Sequence, residues 1–173
     1  MPVTRLNHAV LYVRDLDATK GFYEGVLGFR TVMDLPGQAA FLQAAGSTND
    51  HDLGVFQIGA GAGPSGAGRS TVGLYHLAWE VDTLAELERI RGRLAEVGAL
   101  VGTSDHVTTK SLYARDPDGI ELEVCWILPA EALTAELVVE ARRDPRPRPL
   151  DLEVEKARYG ADTRGGVGVS TPI

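Results

Sequence analysis

Residues 74–81 read LYHLAWEV and repeat the pattern of residues 6–13, LNHAVLYV, with a histidine third and a valine last in each stretch. Both stretches are rich in β-branched, aromatic and other apolar residues, which is typical of strands. A helical pattern follows each stretch and ends at a glycine, Gly28 in the first case and Gly98 in the second. A strand-like stretch followed by a helical pattern thus occurs twice, which indicates an internal duplication.

Each copy continues with three further strand-like runs, so the repeating unit is βαβββ. In the first copy, Asp17 is the expected cap of the helix, and Pro36-Gly37 is the expected turn of a hairpin. The pattern predicts an α+β fold in which two such units pair about a pseudo-twofold axis into a curved, barrel-like mixed sheet. We expect one module over residues 1–128, with its units at residues 4–58 and 73–128.

The segment between the units, residues 59–72, consists largely of Gly, Ala and Ser and predicts a flexible linker. A glycine-rich segment after a strand also suggests a phosphate-binding loop. This segment lacks the GK[ST] ending of such a loop, and its glycine spacing does not fit a dinucleotide fingerprint. We therefore interpret it as a connector.

The composition changes after Leu128, and residues 129–173 form a C-terminal extension. Residues 129–143 predict an amphipathic helix, residues 151–159 a short helix, and residues 160–173 a disordered tail. The Pro-rich DPRPRPL between the two helices predicts extended chain. The sequence leaves open whether the extension packs on the core or on a second subunit, so a homo-oligomer is one expectation.

Composition narrows the class of protein. The 173 residues are 44% hydrophobic and 24% charged, as in a globular protein, and carry a net charge of −7. That charge argues against nucleic acid and anionic membrane surfaces as partners. The single cysteine excludes an intrachain disulfide, and no apolar run approaches the length of a membrane span. These features favour a cytoplasmic location.

The last strand of the second copy carries carboxylates in its middle. In residues 111–126, SLYARDPDGIELEVCW, a DPDG turn is followed by alternation that places Glu121, Glu123 and Cys125 on one face and apolar residues on the other. A water-facing strand would explain this pattern. On this stretch alone, that explanation is favoured over a ligand site. Glu121 remains undecided between an outer partner of such a site and an exposed residue at its rim. Cys125 is interpreted as a small buried hydrophobe.

Two histidines at duplicated positions favour a ligand site over a water-facing strand as the explanation for Glu123. His8 and His76 occupy equivalent places on the first strands of the two units, and paired units would bring both imidazoles to one site. With Glu123 they form a set of two histidines and one carboxylate. Such a set suits Fe(II) with open coordination positions, and Mn, Co, Ni or Zn are alternatives.

These residues carry a family resemblance. The duplication, with LNHAVLYVRDLDATKGFYEGVLGF in one unit and LYHLAWEV with DPDGIELEV in the other, resembles the vicinal oxygen chelate superfamily over residues 4–128. That superfamily includes glyoxalases, extradiol dioxygenases and fosfomycin or bleomycin resistance proteins. The resemblance implies the paired-unit fold and a metal site.

Further motifs resemble those of one-module extradiol dioxygenases, which open catechol rings beside the two hydroxyls. HDLGVFQ resembles their HDL motif, which implies acid or base work for His51. DHVTTKSLYARDPDG resembles their His, Tyr and DPDG segment, which implies that His106 lines the substrate end and that Tyr113 bonds a catecholate oxygen. The fourth ligand of glyoxalase-like members would fall at Leu53 or Gly54, neither of which can ligate. We align the strand on Leu53, and a three-ligand site is favoured.

The resemblance therefore implies an extradiol ring-cleaving dioxygenase that uses Fe(II), O2 and a small catecholic substrate. Two alternatives come from the same superfamily. One is a metal-dependent isomerase, epimerase or lyase that does not use oxygen, and the other is a drug-binding resistance protein. Fold alone does not choose among these activities.

Overall fold

The computed structural model describes residues 2–3, 5–68 and 70–166. The chain divides into two compact units, one of Met1–Gly66 with Asp116–Ile120 and one of Ala67–Arg115 with Glu121–Ile173. The first unit contains five elements: β1 (Ala9–Val13), α1 (Leu16–Leu27), β2 (Arg30–Leu35), β3 (Ala39–Gln43) and β4 (Leu53–Gln57).

The second unit repeats this order and adds the C-terminal extension. Its repeat elements are β5 (Leu77–Glu80), α2 (Leu84–Glu96), β6 (Leu100–Asp105), β7 (Thr109–Arg115) and β8 (Glu121–Ile127). The extension contributes a short 3-10 turn at Ala130–Ala132 and two helices, α3 (Ala135–Arg143) and α4 (Leu152–Tyr159). Over the described residues, no helix combines the length and the apolar character needed to cross a bilayer.

The two sheets have the same topology, which confirms the predicted α+β duplication. Strand order is β1-β4-β3-β2 in the first unit and β5-β8-β7-β6 in the second. In both, the first strand pairs in parallel with the last, and the other pairs are antiparallel. A parallel pair needs a crossover connection, and α1 and α2 begin that connection in their units. Each unit is thus a four-stranded mixed sheet.

The helix patterns are confirmed, with one correction at the start of α1. Its cap is Asp15, whose carboxylate accepts from the Ala18 backbone N–H at 2.9 Å, whereas the predicted cap Asp17 lies in the first turn. Asp15 is favoured because its extended backbone directs the carboxylate at the orphan N–H groups of that turn. Gly28 ends the helix with a φ of 77°, as the left-handed stop requires.

Helix α2 covers one face of the second sheet, the face on which Leu122 and Val124 are buried. Thr83 caps it, and the buried side chains follow the predicted helical spacing, namely Leu84, Leu87, Ile90 and Leu94. The next residue at this spacing, Val97, is 59% exposed because the helix has already ended there. Apolar burial of the other four, roughly 1.5–3 kcal/mol for each leucine or isoleucine, holds α2 to the sheet.

The described residues of the linker contain no helix or named strand, and the extension contains two helices. Its second helix, α4, forms where a short helix was predicted, whereas the first predicted helix is reduced to a 3-10 turn and the nine-residue α3. The predicted disordered tail is wrong for residues 160–166. Gly165 N–H donates to Asp82 O at 2.7 Å, and Gly166 N–H donates to Ile127 O at 2.9 Å. The rest of that tail, residues 167–173, lies outside the described residues.

The DPDG turn groups with the first unit. Asp118 pairs with Arg14 at 2.8 Å, and the buried Asp116 accepts from the backbone N–H groups of Asp118 and Ile120, both at 2.9 Å. Gly119 adopts a φ of 81°, which only glycine accepts readily. Burial raises the pKa of the Asp116 carboxyl from its ordinary value near 3.8 to about 6, against the opposing effect of these N–H donors.

A pH dependence of stability follows from Asp116. A carboxyl whose pKa is raised on folding stabilises the protein below its unfolded pKa, and that contribution is lost as pH rises through about 6. Asp116→Asn keeps an acceptor oxygen and cannot ionise. As the pH rises from 4 to 7.5, we expect the free energy of unfolding of the variant to increase by roughly 2 kcal/mol relative to that of wild type. Thermal unfolding across that pH range measures the difference. The exposed Asp17→Asn is the control, and a pH-independent difference at Asp116 would contradict this account.

Candidate functional site

The duplicated histidines precede their strands. We predicted a strand over residues 6–13, but β1 begins at Ala9. In the same unit, β4 begins at Leu53, two residues after His51. His8 and His76 therefore each lie one residue before the first strand of their unit, rather than within it. The two histidines still occupy equivalent positions, because each directly precedes a first strand that pairs in parallel with the last strand of its unit.

In the first unit, the structure brings His8 and His51 together. Their ring centroids lie 4.4 Å apart, and Phe41 packs edge-on against His51 with a centroid distance of 5.1 Å. Nδ1 of each ring has a neighbouring oxygen: Asn7 Oδ1 at 2.7 Å for His8, and Asp50 Oδ2 at 3.2 Å for His51. A metal-ligand candidate and an acid-base candidate thus share one corner of this unit.

Asp52, the second residue of the HDL motif, has a structural role. Its carboxylate accepts from Ala44 N–H at 2.9 Å and from Ser47 Oγ and Asn49 Nδ2, both at 2.7 Å. These bonds close the loop between β3 and β4. The loop in turn sets the position from which His51 contacts His8. In the HDL motif, Asp52 therefore stabilises the loop, and His51 is the candidate acid or base.

In the second unit, four predicted site residues form a continuous series of contacts. His76 Nε2 lies 3.1 Å from Glu123 Oε2. The other oxygen of Glu123 is 3.5 Å from the Tyr113 hydroxyl, and that hydroxyl is 3.0 Å from His106 Nε2. The series connects a candidate metal ligand, His76, to the candidate substrate contacts Tyr113 and His106.

Strand register explains why these side chains meet. Tyr113 on β7 is paired with Glu123 on β8, and Glu123 is paired with Ala78 on β5, two residues beyond His76. Alternation places Leu122 and Val124, each 1% exposed, on the face that α2 covers. The opposite face, which carries Tyr113 and Glu123, is called the polar face below.

The other carboxylate of β8, that of Glu121, lies outside this contact series. Glu121 Oε1 forms an ion pair with Arg115 at 2.9 Å, next to the turn and away from the contact series. Cys125 is buried, and burial, together with the charges of Glu123 and Glu80, raises the pKa of its thiol to about 12. The thiol therefore stays protonated at neutral pH, as expected for a small buried hydrophobe.

The register also corrects our alignment of the first unit. His76, Ala78 and Glu123 correspond to His8, Val10 and Gly54, because Val10 pairs with Gly54 as Ala78 pairs with Glu123. Gly54, rather than Leu53, thus occupies the position equivalent to Glu123. Glycine has no side-chain donor, so this position supplies no fourth ligand.

Sequence reasoning missed Ser104. Its hydroxyl lies 2.9 Å from His106 Nε2 and 3.5 Å from the Tyr113 hydroxyl, so it joins the contact series from β6. The signal was its position two residues before His106, since alternate residues of a strand share a face. β6 continues to Asp105, so Ser104 lies within the strand and His106 follows directly after its end.

The donor chemistry of the second unit fits a divalent metal. Ligand atoms that bind one ion at about 2.0–2.2 Å lie about 3 Å apart, as His76 Nε2 and Glu123 Oε2 do. His76 Nδ1 is buried without a hydrogen-bond partner among the described residues. Across residues 2–3, 5–68 and 70–166, no three His, Cys, Asp or Glu side chains are grouped closely enough to hold an ion. The three-ligand set stays a prediction.

Comparison with known proteins decides the family. The family model described as the glyoxalase/bleomycin resistance protein/dioxygenase superfamily matches residues 5–124. The chain belongs to this superfamily. The superfamily match covers both βαβββ units and ends within β8, before the C-terminal extension.

Two curated relatives within the superfamily are dioxygenases. The chain is 33% identical over 124 residues to a catechol-2,3-dioxygenase of Bacillus subtilis, and the match covers 70% of this chain and 41% of that protein. It is 35% identical over 133 residues to biphenyl-2,3-diol 1,2-dioxygenase 3 of Rhodococcus globerulus, covering 72% and 65% respectively. The chain thus spans less than two thirds of the length of either relative.

A solved structure agrees at the level of the fold. The chain resembles a glyoxylase/bleomycin resistance protein/dioxygenase domain from Frankia sp. EAN1pec with a TM-score of 0.61 and 26% sequence identity. The match covers 72% of this chain and 92% of that domain.

Proposed function

We propose that the protein is a metal-dependent extradiol dioxygenase that opens the ring of a small catecholic compound with O2. The observation that carries the proposal is the contact series from His76 through Glu123 and Tyr113 to His106. It joins two donor groups suited to a metal with a phenol and an imidazole suited to a substrate oxygen. The two dioxygenase relatives support the same reaction class.

The proposed metal ligands are His8, His76 and Glu123. Fe(II) is the proposed ion because this donor set leaves coordination positions open, and Mn, Co, Ni and Zn are accepted by similar sets. Such an ion would supply Lewis acidity, which lowers the pKa of a catechol hydroxyl. Gly54, at the position equivalent to Glu123, is consistent with a set of three protein ligands.

The other polar residues would handle protons and hold the substrate. Burial raises the pKa of the Tyr113 hydroxyl above its usual value, so this phenol stays protonated and can donate to a substrate oxygen. His106 Nε2, 3.0 Å from that hydroxyl, would accept a proton or bind the substrate beside Tyr113. His51 is the proposed acid or base on the first unit, where Phe41 and His8 fix the orientation of its ring.

Oxygen consumption tests the proposal. Protein loaded anaerobically with Fe(II), and shown to hold one ion per chain, is mixed with a panel of mono- and bicyclic catechols in an oxygen-electrode cell. We expect oxygen uptake together with a product that absorbs in the near-visible range. No uptake with any catechol would contradict the proposal.

The same preparation separates the two alternatives. An isomerase, epimerase or lyase would retain its activity in the absence of oxygen and with Mn, Ni, Co or Zn in place of iron. A binding protein without metal chemistry would keep its ligand affinity in a His8→Ala or Glu123→Ala variant. Loss of activity on removal of either oxygen or metal is the result that the dioxygenase predicts.

A further inference from the structure

The turn that carries His106 has a strained backbone. Val107 adopts a φ of 69°, a left-handed conformation that β-branched residues rarely occupy. Local hydrogen bonds hold the turn: His106 N–H donates to Thr109 O at 2.8 Å, and Val107 N–H donates to the Asp105 carboxylate at 2.7 Å. Such a conformation persists only where its surroundings stabilise it.

The C-terminal extension binds this turn on both sides. Before the turn, Asp105 and Arg148 exchange two backbone hydrogen bonds of 2.9 and 3.0 Å. After it, Lys110 is 1% exposed, and its ammonium lies 2.9 Å from the Glu155 carboxylate on α4 and also pairs with Asp105. The extension therefore contacts the residues that flank His106, and it leaves His106 itself on the polar face.

Helix α4 is a firm support for these contacts. Asp151 caps it by accepting from the Glu153 and Val154 N–H groups. The Tyr159 ring packs against the fully buried Trp126 with a centroid distance of 5.8 Å, and Trp126 Nε1 donates to Thr163 O at 3.2 Å. Because α4 is fixed to the sheet face opposite the polar face, Glu155 holds Lys110 in a defined place.

We propose that residues 144–166 of the C-terminal extension position His106 for the reaction. Asp105, Lys110 and Glu155 are positioning residues, which act on His106 through the strained turn and touch no substrate. This inference rests on the proposed function, in which His106 binds the substrate beside Tyr113. The superfamily match ends at residue 124, so no property of the matched region assigns a role to the extension.

Histidine side-chain NMR tests the positioning directly. The chain has four histidines, so metal-free protein labelled with 15N-histidine has four sets of imidazole resonances, which His→Gln variants assign. Glu155→Gln removes the charge that holds Lys110 and keeps the side-chain shape. We expect the His106 resonances to shift or broaden while those of His8, His51 and His76 stay in place. The matched control is Glu153→Gln on the exposed side of α4, for which all four sets should stay in place.

Glu155→Asp keeps the charge but shortens its reach, and it serves where Glu155→Gln folds poorly. We expect a smaller His106 shift in the same direction. Spectra are recorded well below the unfolding temperature of each variant, so that only the folded state contributes. Unchanged His106 resonances in Glu155→Gln, or in Glu155→Asp where it replaces that variant, would overturn the proposal. So would a common shift of all four histidines, which indicates general loosening.

Steady-state kinetics supply the functional readout. In Fe(II)-loaded Glu155→Gln, we expect kcat per bound metal to fall about tenfold to a hundredfold, as for a small displacement of a catalytic group. Metal content should stay within about twofold of wild type, because Glu155 pairs with Lys110 and with none of the proposed metal ligands. A kcat equal to that of wild type would overturn the proposal. If wild-type protein does not turn over catechols, the proposed function fails, and the NMR result alone decides the positioning.

Discussion

Glu123→Gln is expected to abolish most of the activity and to lower the metal content of the purified protein. The amide is a weaker and uncharged ligand, and its nitrogen cannot accept the contact that His76 Nε2 now makes at 3.1 Å. We expect kcat/KM to fall by about 10³-fold or more, the equivalent of about 4 kcal/mol of transition-state stabilisation. Metal analysis and oxygen uptake measure the two effects separately.

Glu121→Gln is the matched control for this variant. It lies two residues earlier on the same strand and face, and its carboxylate pairs with Arg115 rather than with His76. We expect metal content and kcat/KM close to those of wild type. Equal losses in the two variants, or full activity in Glu123→Gln, would show that the strand carboxylates do not have the separate roles assigned here.

Lys110→Met is expected to have the largest effect on stability. The ammonium is 1% exposed and lies between the carboxylates of Asp105 and Glu155, so its removal leaves buried negative charge without a partner. Breaking a buried ion pair in this way costs about 3–5 kcal/mol. For a chain of this size the melting temperature should fall by about 10 °C, which circular dichroism or calorimetry measures.

Lys156→Met on α4 is the control for Lys110. Its ammonium pairs with Glu88 at 2.6 Å and with Glu153 at 2.8 Å, in ion pairs near the surface that water screens. We expect only a small change in melting temperature. A drop at Lys156 as large as that at Lys110 would mean that burial of the Lys110 charge is not the cause of its effect.

Much of the fold could be predicted because the signals are local and occur twice. The alternation through Glu123 and Val124 and the glycine stops at Gly28 and Gly98 depend on short stretches of chain. The two sheets also share one strand order, as a duplicated βαβββ pattern predicts. Strand starts were less accurate: His8 and His51 precede β1 and β4, because pairing with a neighbouring strand, which one strand's sequence does not encode, sets where a strand begins.

The parts that could not be predicted depend on contacts distant in sequence. Lys110 resembles any polar strand residue until Glu155, 45 positions later, is placed against it. The tail at residues 160–166 has the composition of a disordered segment, yet its backbone bonds to Asp82 and Ile127 order it. Ser104 was missed because its contacts with His106 and with the Tyr113 hydroxyl depend on the pairing of β6 with β7. The strained turn at Val107 has no sequence signal, since a valine there is unfavourable by itself.

Isotope labelling with 18O2 tests the central claim most directly. Protein holding one Fe(II) per chain is incubated under 18O2 with the catechol that gives the fastest oxygen uptake, and the product is analysed by mass spectrometry after a short reaction time. An extradiol dioxygenase places both atoms of one O2 molecule in a ring-opened product. We therefore predict that the product carries two 18O atoms, before either oxygen exchanges with water. A product that carries no label, or an unopened ring, would contradict the account.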